Sequence, residues 1–271
     1  MPSGCGRASL CWISLRYAVA LSCYHAPATI SKAKGTVPLA PPSRRIYLRP
    51  SRALTKAAAV DREFWLKKWR ENQIGFHQPD TNAFLRRHWT KMRLRPGARV
   101  FAPLCGKSHD MLWLRAQGMS VVGVELARNA VEQFFEESGL TPVVSMCGVF
   151  ERFEVEGLAL LVGDIFDLDA LTLGRVDATY DRAALIALPE PMRARYADRL
   201  LALAGHAPQF LVTISYDQAM ASGPPFSVGE EEIRSRYGDR YEIKTIEWTD
   251  IPGGFRKAGP ATETSWLLTP R

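Results

Sequence analysis

From Arg99 onward, short runs of β-branched and apolar residues alternate with stretches of helical period, and this alternation restricts the chain to few folds. Strand "RVFAPL" leads to helix "SHDMLWLRAQG", strand "SVVGVEL" and helix "RNAVEQFFEESG". A hairpin in "VFERFEVEGLALLVGD" follows, then strand "RVDATYD", helix "EPMRARYADRLLALAG" and strand "QFLVTISYD". Two last runs, "YEIKTIEWTD" and "TETSWLLT", suit an antiparallel edge. Strands joined through helices pair in parallel, and right-handed crossovers place helices on both faces. The expected fold class is α/β, a doubly wound, mostly parallel sheet with its ligands beyond the carboxyl ends of the strands.

The chain divides near residue 60. Residues 1–60 carry nine of the 35 Lys and Arg and no Asp or Glu, in a Pro-, Ser- and Ala-rich setting. They are expected to be a disordered leader, with a targeting segment as the alternative, or an over-extended gene start with translation beginning at Val60 through a GTG codon; any other valine codon there would contradict the last idea. The remaining 26 basic side chains face 28 acidic ones, so residues 61–271, the expected folded domain, carry a net charge of −2. A basic surface for nucleic acid is therefore not expected on that domain. Its first helix is marked by Phe64, Trp65, Lys68 and Trp69 at helical spacing, with Asp61 as N-cap, and "NAFLRRHWTKM" forms a second. Five cysteines (Cys5, Cys11, Cys23, Cys105, Cys147) show no disulfide or zinc spacing, and no apolar run is long enough for a membrane span. A cytoplasmic monomer without a metal is expected.

The loop "FAPLCGKS" (101–108) ends like a phosphate loop, yet Phe101 stands where that motif needs its first glycine. The backbone there is expected to be extended rather than curled around a polyphosphate. Gly106 follows the first strand, and Glu125 ends the second strand nineteen positions later. A carboxylate at that tip can accept both hydroxyl hydrogens of a ribose, and a small residue in the first loop permits close approach. The G-x-G-x-x-G pattern needed for a dinucleotide is absent, which disfavours an NAD-dependent oxidoreductase. A nucleoside ligand without phosphate fits, namely S-adenosylmethionine. Asp164 and Ile165 in "GDIFDL" are placed to meet an adenine amine and ring face, although Asp164 can equally cap a turn. Asp181 and Arg182 in "YDRAAL" fall at the switch point, where a methyl acceptor would meet the cofactor; the pair can also be a surface ion pair. Asp167 and Asp169 read as a solvated loop, and Cys105 and His109 as unpaired loop residues. Methyl transfer from a sulfonium needs alignment and exclusion of water more than a strong base. For a thiol or selenol of low pKa the ionised fraction suffices, and Arg182 can stabilise the anion.

The segments "FWLKKWRENQIGFHQPDTNAFLRRHW", "VFAPLCGKSHDMLWLRAQGMSVVGVELARNAVEQFF", "GDIFDL", "YDRAALIALP" and "SYD…GPPFSV" resemble, in order, the signatures of the thiopurine S-methyltransferase family, closest to its bacterial branch. The resemblance implies a seven-stranded methyltransferase sheet with an N-terminal helical cover. It implies that Trp69 covers the cofactor, that Leu104 and Glu125 contact it and that Arg182 reaches it near the acceptor, with Asp164 and Ile165 bordering the adenine. It also implies acceptors among aromatic and heterocyclic thiols, with selenium or tellurium compounds among those of bacterial members; another small-molecule acceptor on the same fold is the alternative. The turn "SGPPFSV" (222–228) lies where a substrate loop is expected, with Phe226 placed to border a flat acceptor.

Overall fold

The computed structural model describes residues 62–255 and 259–271. The leader expected over residues 1–60, and the N-cap expected at Asp61, lie outside them. The strands are β1 (Arg99–Pro103), β2 (Ser120–Glu125), β3 (Val143–Cys147), β4 (Phe150–Val155), β5 (Leu158–Val162), β6 (Ala178–Arg182), β7 (Gln209–Tyr216), β8 (Tyr241–Asp250) and β9 (Ala261–Pro270). They form one sheet in the order β3-β4-β5-β2-β1-β6-β7-β9-β8. The five central strands, β5 to β7 in that order, pair in parallel. From β1 the chain proceeds through β2 to β5 on one side, then returns to build β6 and β7 on the other. The switch point therefore falls between β1 and β6.

Among the described residues the sheet has nine strands, where the family resemblance implies seven and the sequence pattern reads eight. The additional pair, β3 and β4, continues it antiparallel beyond β5. The expected hairpin is present as β4–β5, and its second strand also belongs to the parallel core. The other edge is the expected antiparallel pair, with β9 inserted between β7 and β8.

The parallel strands read as apolar runs because both of their faces are covered. On β1, Val100 and Ala102 face one core and Phe101 the other. The first core is closed by α2 (Ala83–His88), α3 (Asp110–Ala116) and α4 (Arg128–Glu137); α4 contributes Val131, Phe134 and Phe135 at helical spacing. The second is closed by the short α5 (Ala170–Leu173), which inserts Leu173, by α6 (Glu190–Ala204), which inserts Tyr196, Ala197, Leu200 and Leu201, and by α7 (Glu230–Tyr237), which inserts Ile233 and Tyr237. Arg193 of α6, 5% exposed, locks these two helices. Its guanidinium donates to both oxygens of Glu232 at 2.6 and 2.9 Å and to the Leu188 carbonyl at 3.0 Å.

β6 applies the two-residue period of a strand to charged side chains. Tyr180 and Arg182 point to the α3 side, where both reach Asp110. Asp181 points to the α6 side, where its Oδ2 accepts from the Tyr196 hydroxyl at 2.6 Å and its Oδ1 from the Leu185 N–H at 3.2 Å. Burial raises the Asp181 pKa to about 6, and those hydrogen bonds only partly counter the rise. With the folded value above the ordinary one, the charged form costs stability. The contribution is full in acid and is lost as pH rises through about 6. Asp181→Asn keeps both contacts, because a tyrosine hydroxyl accepts as well as donates. Relative to this variant, the wild type should lose about 2 kcal/mol of unfolding free energy between pH 4.5 and pH 7.5, measured by urea denaturation. A difference that does not change with pH would contradict the assignment.

Candidate active site

The loop after β1 is held in an uncommon backbone conformation. Leu104 has φ +45° and Gly106 φ +52°, while the Cys105 N–H donates back to the Val124 carbonyl at 3.1 Å. A non-glycine residue in the left-handed region is strained by about 1–3 kcal/mol, so the sheet must hold Leu104 there. Gly106 satisfies two demands at once. A side chain would be strained at that φ, and a Cβ would stand 3.1 Å from the Trp69 ring. Trp69 ends helix α1 (residues 62–70), is 4% exposed and packs with Ala127 and Ala130. The Asn129 side-chain amide donates to its carbonyl at 3.0 Å. The first helix thus covers the β1 loop, and at its other end Arg62 lies 3.8 Å from Asp164 beyond β5.

Glu125 at the tip of β2 is 5% exposed. Its Oε2 accepts from the Gly106 N–H at 2.9 Å and its Oε1 from the Ala127 N–H at 2.8 Å. Burial pushes its pKa up, and the N–H groups of Ala127, Gly106 and Leu126 counter the rise. The two positions singled out by their nineteen-residue spacing are therefore in direct contact. Each carboxylate oxygen has used one of its two acceptor directions, which leaves capacity for hydroxyl donors.

Arg182 lies across the switch point with its side chain 12% exposed. Its Nε is 2.6 Å from Asp110 Oδ2, while Nη1 donates to Gln78 Oε1 at 2.7 Å and Nη2 to Ser108 Oγ at 3.1 Å. Asp110 is fully buried and also accepts from the Tyr180 hydroxyl at 2.8 Å and from the Asn82 N–H at 2.7 Å. Burial opposes the Arg182 charge, and Tyr180, Asp110 and Glu263 outweigh it, so the guanidinium pKa is raised. Arg182 is thus paired with Asp110 and not with its neighbour Asp181. Ala183, the next residue, has φ +64°, so both turns flanking the switch point carry a strained non-glycine residue.

Asp164 does cap its turn, with Oδ1 accepting from the Phe166 N–H at 3.0 Å, and its other oxygen faces Arg62. Ile165 is 2% exposed and packs into the core, so of these two side chains only Asp164 lies partly open at the end of β5. Phe226 is half-buried; its N–H donates to the Ile186 carbonyl at 2.7 Å, and its ring lies 5.9 Å from the Arg193 guanidinium. Cys105 is buried against Gly123, whose missing side chain makes room for the sulfur. Among the described residues no group of three or more His, Cys, Asp or Glu is placed to hold a metal.

Lys107 and Ser108 do more than open the next helix, as they would have if the GKS ending were incidental. Lys107 is 8% exposed with Nζ 2.6 Å from Glu137 Oε1, which ties the β1 loop to the end of α4 and pairs the cation that a phosphate loop would use. Asp110 and Tyr180 escaped the sequence reading. Asp110 looks like a first-turn helix acid, and its partners stand 28 and 70 residues away. His77 was also missed; its ring lies 5.6 Å from that of His109.

A family model described as Thiopurine S-methyltransferase (TPMT) matches residues 60–265. A thiopurine S-methyltransferase of Xanthobacter autotrophicus is 49% identical over 210 residues, which span 77% of this chain and 99% of that protein. One of Gluconobacter oxydans is 45% identical over 207 residues, 76% of this chain and 94% of its own length. Among solved structures, the 1,6-didemethyltoxoflavin-N1-methyltransferase of Burkholderia thailandensis, solved with S-adenosylhomocysteine, has a TM-score of 0.54 at 18% identity, covering 82% of this chain and 92% of that one. That likeness establishes the fold, the one expected for an S-adenosylmethionine-dependent methyltransferase. With the matched family spanning both halves of the switch point, the chain belongs to the thiopurine S-methyltransferase family.

Proposed function

We propose that the chain transfers a methyl group to the sulfur of an aromatic or heterocyclic thiol, and that selenols fall within its range. The observation that carries the proposal is the contact of the buried Glu125 carboxylate with the Gly106 N–H, beneath Trp69 and across the switch point from Arg182. The family match from residue 60 supports taking residues 61–271 as the methyltransferase domain. Free Cys105 and Cys147 fit a reducing cytoplasm.

The residues fit S-adenosylmethionine, which when bound supplies an electrophilic methyl on a sulfonium. Glu125 would accept the ribose hydroxyl hydrogens while keeping its backbone donors. Trp69 would cover the ligand, and its ring face suits a sulfonium charge. Leu104 would lie against the ligand, and Asp164, the partly open one of the pair with the core-packed Ile165, would border the adenine. Arg182, fixed by Asp110, Gln78 and Ser108, would face the acceptor and stabilise a thiolate. Asp181 fits a positioning role instead, because it holds the turn that carries Arg182 and Ala183 from the other face.

The direct test is a panel of thiopurines, thiophenols, selenite and selenols with methyl-labelled S-adenosylmethionine. Label should reach sulfur in at least one aromatic thiol, and no transfer to any thiol or selenol would overturn the proposal. Glu125→Gln should weaken S-adenosylhomocysteine binding nearly as much as Glu125→Ala, because an amide nitrogen must then face one of two backbone N–H groups. The expected loss in calorimetry is about tenfold to a hundredfold, from roughly 1–3 kcal/mol for an unsatisfied buried group; unchanged affinity would exclude the ribose role. Arg182→Lys should lower kcat/KM for thiols by about tenfold or more, the worth of a charge-assisted hydrogen bond, while S-adenosylhomocysteine affinity stays within about threefold. The reverse pattern would assign Arg182 to the cofactor.

A further inference from the structure

Residues 76–78 bridge the two halves of the site. Phe76 meets Trp69 edge-on at 5.5 Å between ring centroids, and Gln78 accepts from Arg182 at 2.7 Å. His77 lies between them, half-buried, in the span between the cofactor cover and the residue that faces the acceptor. Its ring lies 5.6 Å from that of His109 in the β1 loop, and the charges that act on it are those of Lys107, His109, Glu137 and Arg182. No side-chain hydrogen bond engages either ring nitrogen of His77 among the described residues.

The carboxylates at this end are already engaged, and the second imidazole, His109, lies against His77 with ring centroids 5.6 Å apart. Asp110 holds three donors, Glu137 is paired with Lys107, and Glu125 spans Gly106 and Ala127. Asp181 is on the opposite face of β6, with Tyr196. His77 therefore combines ring nitrogens that have no side-chain hydrogen-bond partner among the described residues with a place next to Gln78, which holds Arg182.

We propose that His77 is a catalytic residue that takes the proton of the acceptor thiol, and that it sets how weakly acidic an acceptor the enzyme can use. The S–H bond breaks with its electron pair left on the thiol sulfur, which uses that pair for the bond to the methyl while the methyl's bond to the sulfonium breaks and leaves its pair on the donor sulfur. The proton goes to a ring nitrogen of His77 and from there to water. Burial, Lys107, His109 and Arg182 hold the His77 pKa below the ordinary 6.5 against the opposing charge of Glu137, so the imidazole is neutral and ready to accept at neutral pH. An acceptor already ionised at the working pH has no use for this base.

The inference rests on the proposed S-methyl transfer, and its test separates the two. His77→Gln is compared with wild type on a nitro-substituted thiophenol, ionised at the assay pH, and on a weakly acidic alkyl or benzyl thiol. The expected loss in kcat/KM is about a hundredfold or more for the weakly acidic thiol and under about threefold for the ionised one, the first figure being the usual contribution of a general base. The wild-type profile on the weakly acidic thiol should fall with unit slope below the His77 pKa, and the variant should lack that limb. NMR titration of the His77 ring in the free protein should give the same pKa, below 6.5. Calorimetry should show S-adenosylhomocysteine binding within about threefold of wild type, and thermal unfolding should match. Equal losses on both thiols, or a ring pKa above 6.5, would overturn the role of His77. A wild type inactive on every thiol would instead remove the S-methyl reading itself.

Discussion

The Asp110 carboxylate is the constraint from which most of the site follows. A fully buried anion is tolerated only when its oxygens are satisfied and its charge is paired. Here the three donors come from two parts of the chain: the Asn82 N–H before α2, and the Tyr180 hydroxyl and Arg182 guanidinium on β6. Losing any one of them would leave a buried charge short of a partner. The N-terminal segment, the start of α3 and the end of β6 are thereby fixed against one another, and Arg182 is left with two nitrogens for Gln78 and Ser108.

On the cofactor side the same principle works through the backbone. Glu125 takes two N–H groups from two different loops, and this holds the turn after β1 close to the tip of β2. Trp69 then fits over Gly106 because no side chain stands there. The strain at Leu104 and Ala183 is confined to the two turns that flank the switch point. Such strain persists only where surrounding contacts over-determine it, and here those contacts are the ones that shape the site.

The sequence discloses the parts of this arrangement that depend on local pattern. The parallel strands are legible because burial on both faces makes them apolar runs, and Gly106 with Glu125 is legible because the spacing of a strand–helix–strand unit is nearly fixed. β3 was missed because it is an exposed edge: Val143, Val144 and Met146 are 73%, 51% and 66% exposed, so no inward–outward contrast marks it. α7 was missed because only Ile233 and Tyr237 of "EEEIRSRY" are buried. Trp69 at helical spacing reads as core, and only tertiary contact places it over the β1 loop. The Asp110 network was illegible for the same reason, since nothing near Asp110 in sequence shows that its partners come from residues 82, 180 and 182. The two-residue period of a strand does separate Asp181 from Arg182, but which of the two faces the site depends on where Asp110 lies.

The central claim is that Glu125, Trp69 and the β1 loop form one nucleoside site and that Arg182 borders the neighbouring acceptor space. The most direct measurement is a crystal structure of the complex with S-adenosylhomocysteine. The account predicts both ribose hydroxyls on the Glu125 carboxylate, with the Gly106 and Ala127 N–H bonds kept, the Trp69 ring against the ligand, and its sulfur turned toward Arg182. A ligand bound elsewhere, or a Glu125 carboxylate that leaves the ribose to other groups, would contradict it.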